Sequence, residues 1–243
     1  MIHRAIEERI HNALAKKKAV TIMGPRQVGK STLADAIIPK DARILEINGD
    51  NTDVQTMFIN VDEAKMKVLI GNKNFLFVDE AQKIENVGNM LKIVAEKFKD
   101  VKIIVTGSSA FKLAESVNES LTGRKREFRL YPLSFKEMAD ETSTLEESRM
   151  IDHRLIYGYY PEVVTSPGDE KEVLKELIDS YLYKDVMEEN NIAKPDKLVK
   201  LVQALAFQIG STVSANELAG LVGIDAKTVE RYIEILEKSY IIF

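Results

Sequence analysis

Residues 24–31 of the chain are Gly24-Pro25-Arg26-Gln27-Val28-Gly29-Lys30-Ser31. This segment fits the pattern G-x-x-x-x-G-K-[ST], in which backbone N–H groups between the two glycines surround a phosphate group. The second glycine lets the backbone come close, the lysine adds a positive charge, and the hydroxyl group is a ligand for Mg²⁺. The segment therefore predicts a phosphate-binding loop, with every residue from Gly24 to Thr32 as a candidate ligand.

The sequence on either side of this loop agrees with that interpretation. The apolar run Ala19–Met23 precedes the loop and predicts a buried strand, and an amphipathic helix is predicted over residues 3–18. A further helix is predicted to begin near Lys30, so that its positive N-terminal end faces the phosphates. No G-x-G motif occurs in the chain, so a Rossmann dinucleotide site has no support.

Four more short apolar runs predict strands, and they alternate with helical patterns. The predicted strands cover residues 43–47, 74–78, 101–106 and 127–131, and the intervening helices cover residues 52–70 and 84–98. Strands that alternate with helices are typical of a parallel sheet covered by helices on both faces. The sequence therefore predicts an α/β fold with a five-stranded parallel sheet.

Two carboxylates end the third predicted strand. Asp79 and Glu80 directly follow the apolar run at residues 75–78. In enzymes with this kind of phosphate loop, the first acid at such a strand end holds Mg²⁺, usually through water. The second is placed to polarise a water molecule that attacks the γ-phosphate. We therefore expect Ser31 and Asp79 to hold Mg²⁺ and Glu80 to act as the general base, with Lys30 stabilising the phosphates.

The ends of the next two strands supply weaker candidates. Thr106, Ser108 and Ser109 follow the fourth strand, and any of them is a candidate sensor of the γ-phosphate; alternatively they cap the next helix. Arg124 belongs to a local basic cluster and is a candidate to neutralise transition-state charge, in its own chain or in a neighbouring one. The alternative for Arg124 is a solvated residue that leads into an edge strand.

The pattern changes after Pro132, because strands stop and helices dominate. Helices are predicted at residues 134–140, 145–157, 170–188, 195–209, 214–222 and 226–238. The last two outline a helix-turn-helix, and the apolar residues 240–243 predict the first strand of a wing. An unpaired apolar strand is an aggregation hazard. We therefore expect either that the natural chain continues past Phe243 or that this strand pairs elsewhere.

Composition excludes several classes of function. The 243 residues carry 34 basic and 38 acidic side chains, for a net charge of −4, with three histidines and no cysteine. A uniformly basic nucleic-acid-coating protein, disulfides, thiolate catalysis and cysteine-based zinc sites are thereby excluded, and a histidine-built metal site has no support. No run is long enough for a membrane span and the N-terminus lacks a signal-peptide core, so we expect a cytoplasmic location.

Six segments, taken in order, resemble the poorly characterised AAA-type P-loop ATPases of prokaryotes, which are related to archaeal ATPases and signal-transducing NTPases. They are Gly24 to Thr32, Phe77-Val78-Asp79-Glu80-Ala81-Gln82, Thr106-Gly107-Ser108-Ser109, Leu121-Thr122-Gly123-Arg124, Tyr131-Pro132-Leu133-Ser134-Phe135 and Gly158-Tyr159-Tyr160-Pro161-Glu162. The resemblance covers nearly the whole chain.

This resemblance implies three parts: an AAA+-like ATPase core at residues 1–133, a helical lid at 134–192 and an incomplete winged-helix-like module at 193–243. It also implies ATP as the nucleotide. Tyr160 and Pro161, in a turn of the lid, are implied contacts of the base or ribose, with a plain inter-helix turn as the alternative. Members of the family usually add a nuclease-like C-terminal domain, which these residues do not include.

The leading functional interpretation is a Mg²⁺-dependent ATPase that acts as a conformational switch on a protein or DNA partner, in a form that can be oligomeric. The alternatives are a DNA-associated regulator that binds nucleotide with little turnover, and a small-molecule kinase. DNA contact through the tail has weak support, because residues 195–243 carry five basic and six acidic side chains.

Overall fold

The computed structural model describes residues 2–59, 61–108, 121–180, 186–187 and 192–242 of the chain. By their contacts these residues separate into two units, 1–170 and 171–243. No helix within the described ranges is long and apolar enough to cross a membrane. The division into core, lid and tail at residues 133 and 192 stays a prediction, and the helices of residues 134–170 belong to the first unit together with the sheet.

A five-stranded parallel sheet forms the centre of the first unit. Its strands are β1 (Ala19–Met23), β2 (Ile44–Asn48), β3 (Phe75–Asp79), β4 (Lys102–Gly107) and β5 (Lys125–Arg129). They lie in the order β2-β3-β4-β1-β5, and all neighbouring pairs are parallel. The predicted α/β fold is confirmed. The fifth strand lies two residues earlier than expected, because it pairs with β1 from Lys125 onward.

Nine α-helices of the first unit lie within the described residues, besides a short 3-10 helix at Ala81–Lys83, and two of the predicted long helices are each divided in two. The nine are α1 (Glu7–Ala15), α2 (Lys30–Ile37), α3 (Thr52–Phe58), α4 (Glu63–Ile70), α5 (Val87–Lys97), α6 (Phe135–Glu141), α7 (Thr144–Arg149), α8 (Ile151–Tyr157) and α9 (Pro161–Thr165). The first division occurs because the Asp62 side chain caps α4, accepting a hydrogen bond from the Lys65 N–H at 2.8 Å.

One apolar cluster joins the sheet to the helices that flank the phosphate loop. Ile10 of α1, Ile22 of β1 and Leu33 of α2 are buried in this cluster, and Val28 of the loop belongs to it as well. Every residue of β1 is buried, as is usual for strands in the middle of a parallel sheet. Because Val28 is anchored in the core, the conformation of the loop depends on the packing beneath it.

The second unit has a helical core of its own. Its helices are α10 (Glu170–Ile178), which begins at the boundary, α11 (Pro195–Ala206), α12 (Ala215–Val222) and α13 (Ala226–Lys238). Leu198, Leu218 and Leu236 are fully buried and pack in one cluster. The Asp225 side chain caps α13 by accepting a hydrogen bond from the Thr228 N–H at 2.9 Å. This cap closes the turn of the predicted helix-turn-helix.

The predicted wing strand is wrong for the residues that the structure describes. Residues 240–242 form a turn after α13, in which the N–H groups of Tyr240 and Ile241 donate to the carbonyls of Glu237 and Leu236, each at 2.9 Å. Tyr240 adopts a left-handed conformation with φ of 56° and is buried. The two amides therefore close the helix end and are not available to a sheet. Phe243 lies outside the described residues.

Leu218→Ala should destabilise the second unit by about 2–5 kcal/mol, because truncating a fully buried leucine removes apolar contacts and leaves a cavity. Leu221→Ala is the matched control, since Leu221 lies on the same helix with its side chain exposed. We expect the control to change the free energy of unfolding by less than about 0.5 kcal/mol. Urea unfolding followed by circular dichroism measures both, and equal losses would contradict the assigned core.

Candidate functional site

The phosphate loop folds around the side chain of its own lysine. The Nζ atom of Lys30 donates to the carbonyl oxygens of Gly24 at 3.1 Å and Pro25 at 2.7 Å, and the residue is buried. Burial lowers the pKa of Lys30, while the nearby carboxylates of Glu80 and Asp79 oppose this effect. A cation is therefore held inside the loop, close to both carboxylates.

Backbone constraints shape the loop. A Cβ atom on Gly24 would lie 2.0 Å from the carbonyl oxygen of Leu130, so no other residue fits there without a shift of the backbone. Gln27 and Gly29 have φ angles of 58° and 87°, both in the left-handed region. Turns of this kind bring successive backbone N–H groups into a concave arrangement that binds anions. The loop is thus suited to a phosphate group at the N-terminal end of α2.

The structure brings Ser31 and Asp79 together. The Ser31 hydroxyl donates to the two carboxylate oxygens of Asp79 at 3.0 and 2.9 Å, and the Thr106 hydroxyl donates to the same carboxylate. Hydroxyl and carboxylate oxygens are the hard ligands that Mg²⁺ prefers, so this donor set fits the metal. No group of three His, Asp or Glu side chains within the described ranges is arranged to hold a metal, so phosphate and water would supply the remaining ligands.

A second set of hydrogen bonds orients Glu80. The Gln82 amide nitrogen donates to a Glu80 carboxylate oxygen at 2.5 Å and to the Ser108 hydroxyl oxygen at 2.9 Å. The Ser108 hydroxyl donates to the same Glu80 oxygen at 3.2 Å. The side-chain amide oxygen of Gln82, Oε1, is buried and has no hydrogen-bond partner among the described residues. The sequence patterns did not indicate a role for Gln82. Its position two residues after Glu80 is the one local feature that could have suggested a contact between them.

A buried ion pair supports the loop from outside the motif. Arg4 donates to the Glu137 carboxylate at 3.1 Å and to the Val28 carbonyl at 2.8 Å. The N–H groups of Ala5 and Ser134 donate to Glu137 at 2.8 Å each. Burial alone would raise the pKa of Glu137, but these two amides and the Arg4 guanidinium lower it on balance. No local pattern reveals the pair, because its members are 133 residues apart.

A cavity of about 360 Å³ adjoins the phosphate loop, which is within the size range of small-molecule pockets. Its mainly apolar lining includes Ile2, Val28, Gly29, Thr32, Leu33, Leu133 and Pro161. Tyr160, beside Pro161, packs against the apolar core, and burial raises the pKa of its phenol to about 12. The structure therefore places Pro161 at the cavity and Tyr160 in the packing next to it.

Two sequence candidates are not part of this group. The Arg124 carbonyl accepts a hydrogen bond from the Ala19 N–H at 2.9 Å, and its guanidinium pairs with Glu96 at 2.8 Å. Arg124 thus lies at the amino end of β1, whose five residues separate it from the phosphate loop by about 16 Å. Action of Arg124 on the site of a neighbouring chain remains a prediction. Ser109 lies outside the described residues.

Residues 16–139, just over half of the chain, match a family model described as an AAA domain. The chain belongs to the AAA domain family. This finding confirms the resemblance to AAA-type P-loop ATPases. Residues 148–243, which follow the AAA domain, match a second model that is described as a domain of unknown function.

Curated relatives of this AAA protein are themselves described as uncharacterized. One from Methanocaldococcus jannaschii is 26% identical over an alignment of 262 positions, which covers 99% of this chain and 59% of that protein. One from Haemophilus influenzae is 26% identical over 181 residues, which cover 70% of this chain and 45% of that protein. The chain thus spans about half the length of the curated relatives it matches.

A solved structure with the same fold is a Walker-type ATPase of Pyrococcus abyssi. The two align over 98% of this chain and 90% of that one, with a TM-score of 0.61 and 15% sequence identity. At this level of identity the likeness shows that the two chains share a fold. It does not show that they share a chemistry.

Glu137→Gln should destabilise the AAA domain by about 3–5 kcal/mol at pH 7, because the Arg4 cation is left buried without its partner. The pKa of Glu137 is lower in the folded than in the unfolded chain, so its stabilisation is present above about pH 4.3 and is lost as the pH falls further. Urea unfolding at pH 7 and at pH 3.5 should show the variant approaching wild type at the lower pH.

Asp140→Asn is the matched control, since this exposed carboxylate lies on the same helix, α6. We expect the control to behave as wild type at both pH values. A Glu137→Gln variant as stable as Asp140→Asn at pH 7 would show that the buried pair does not support the fold.

Proposed function

We propose that the chain binds ATP with Mg²⁺ and hydrolyses it, and that the helices after the sheet convey the nucleotide state to a protein or DNA partner. The observation that carries this proposal is the contact between Ser31 and Asp79, which joins the phosphate loop to the carboxylate strand within 3.0 Å. Strand β4 lies between those two elements, so the contact depends on the sheet order and not on sequence proximity.

The phosphates bind in the loop formed by residues 24–31. Lys30, whose charge is held inward by two carbonyls, pairs with phosphate oxygens, and the N–H groups of the loop donate to them. Ser31 and Asp79 would hold Mg²⁺, which when bound neutralises charge on the phosphate oxygens. Thr106 donates to the Asp79 carboxylate and so keeps it oriented towards Ser31.

Glu80 is the general base of this proposal, and Gln82 and Ser108 are its positioning residues. Both donate to the same Glu80 oxygen, which fixes the carboxylate in one orientation. The other oxygen of Glu80 is then left to accept a proton from the attacking water. The side-chain amide oxygen of Gln82 is buried and has no hydrogen-bond partner among the described residues, so a bound water molecule is a suitable donor to it.

The nucleotide base occupies the cavity beside the phosphate loop. The cavity adjoins Gly29 and Thr32 and has the apolar walls that a purine ring requires. Glu141 also lines it, and its carboxylate can accept a hydrogen bond from the exocyclic amino group of a purine. The choice of ATP over GTP rests on the similarity to AAA-type ATPases. Pro161 contacts the base or ribose, and Tyr160 supports it from the core.

Glu80→Gln should bind ATP as wild type does but hydrolyse it at least about 100-fold more slowly, because the amide cannot accept the proton of water. Lys30→Ala should lose ATP binding. Glu85→Gln, an exposed change nearby, is the control and should match wild type. Calorimetry with ATP and MgCl₂ measures binding, and phosphate release measures turnover.

Each result of this series has a distinct consequence. Glu80→Gln turning over at the wild-type rate would show that Glu80 is not the base. Binding of ATP by wild type without turnover would favour the DNA-associated regulator over the ATPase. Absence of any heat with ATP or GTP would overturn the nucleotide site as a whole.

Gln82→Ala should lower kcat about 10-fold while leaving KM and the melting temperature near their wild-type values, because it releases the orientation of Glu80 without touching the nucleotide. Lys83→Ala is the control on the same turn, since it removes only an ion pair with Asp50 near the surface. Steady-state kinetics separates kcat from KM. A rise in KM with kcat unchanged would place Gln82 in nucleotide binding instead.

A further inference from the structure

Basic side chains gather at the amino edge of the sheet, at the opposite end of β1 from the phosphate loop. A cavity of about 310 Å³ there is lined by Lys16, Lys17, Lys18, Lys99, Lys102 and Arg124. A second cavity, of about 320 Å³, shares Lys16 and Lys18 with the first and adds Arg9 and Arg126. The two cavities are therefore neighbours, and the surface formed by these eight residues is called the basic edge below.

The basic edge contrasts with the rest of the chain in charge. Among the described residues, two carboxylates, Asp100 and Glu127, line the same two cavities, whereas the whole chain has a net charge of −4. The C-terminal ends of α1 and α5 attract lysines through the helix dipole, which accounts for some of those just after the helices. It does not account for Lys102 and Arg126, which lie on strands.

Few of these charges are neutralised by the protein. Lys17 pairs with Asp100 at 2.9 Å and Arg124 with Glu96 at 2.8 Å, but both pairs are exposed and worth little. Lys16, Lys99 and Arg126 make no ion pair with any carboxylate in the described part of the chain. An anionic partner thus meets cations that are already in place and weakly engaged.

The geometry favours a regular, dense row of anions. Strands β4, β1 and β5 are neighbours, and their spacing of about 4.8 Å spreads their amino ends over about 10 Å. Duplex DNA carries one phosphate charge per about 1.7 Å of its axis, so several phosphates fall within that span. Lysines supply five of the eight basic side chains of the basic edge, and each acts as a point charge suited to a phosphate.

Aromatic rings at the edge argue against single strands. Lys102 lies over the Phe75 ring at 5.4 Å and Arg9 over the Phe128 ring at 5.6 Å from the ring centre. These ring faces are covered by cations and are not open to stacking with unpaired bases, which is how single-strand binders gain affinity. We propose that the basic edge binds double-stranded nucleic acid through its phosphate backbone, independently of the nucleotide site.

The test compares two double variants of equal charge change in the full chain. Lys16→Glu/Lys99→Glu alters the basic edge, and Lys67→Glu/Lys136→Glu alters exposed lysines on α4 and α6. Fluorescence anisotropy with a labelled 24-base-pair DNA duplex, as a function of KCl concentration, measures binding. The edge variant should bind at least about 10-fold more weakly than the control variant, with a slope of log K against log [KCl] reduced by about 2.

Circular dichroism and ATP affinity should be unchanged in both double variants, which separates loss of DNA binding from loss of fold. Failure of wild type to bind the duplex at about 50 mM KCl, where phosphate contacts are stronger than at physiological salt, overturns the proposal. So do equal losses in the two variants, which would indicate an effect of net charge alone. Polyglutamate is added as a competitor at the same concentration and the same total charge as the duplex. If it displaces the duplex, the proposal is overturned in favour of an acidic protein partner.

Discussion

Lys30 carries its charge into the protein interior, and the rest of the site is organised around that constraint. A buried ammonium group is costly unless it is hydrogen-bonded and faces opposite charge. Here the carbonyls of Gly24 and Pro25 accept its protons, and Asp79 and Glu80 supply the negative charge. The loop must curl for its carbonyls to reach Nζ, and the carboxylate strand must lie close to the loop. The curl of the loop and the nearby carboxylates of Asp79 and Glu80 therefore both stabilise this one cation.

Strand β4 connects the two halves of this arrangement. Its position between β3 and β1 places Thr106 against the Asp79 carboxylate and Ser108 against that of Glu80. The two acids at the end of β3 are thus held by different partners, although they are adjacent in sequence. As a result, the Asp79 carboxylate stays with the Ser31 hydroxyl while that of Glu80 is oriented by Ser108 and Gln82. The two ends of the sheet also differ in charge, since Asp79 and Glu80 lie at the carboxyl edge and the lysines of the basic edge lie at the amino edge.

The ion pair between Arg4 and Glu137 extends the site beyond its motifs. Arg4 binds the Val28 carbonyl, so the N-terminal segment and helix α6 both determine where the second half of the phosphate loop lies. The adjacent cavity has walls from the same elements, which include Ile2 and Leu133. Movement of α6 relative to the sheet would therefore displace both the loop and the walls of the adjacent cavity. The ion pair thus connects a helix that follows the sheet to the phosphate loop.

The sequence by itself determined the parallel sheet, the phosphate loop and the paired acids Asp79 and Glu80, because apolar runs, glycine positions and strand-end carboxylates are local patterns. Only the tertiary structure decided that Gln82 orients Glu80, that Arg4 supports the loop, and that Arg124 lies at the far edge of the sheet. These outcomes depend on strand order and on contacts between segments far apart in the chain. The tail shows the same limit, because residues 240–242 have the composition of a strand but the amides of Tyr240 and Ile241 close helix α13. A strand forms only where a neighbouring strand accepts its hydrogen bonds.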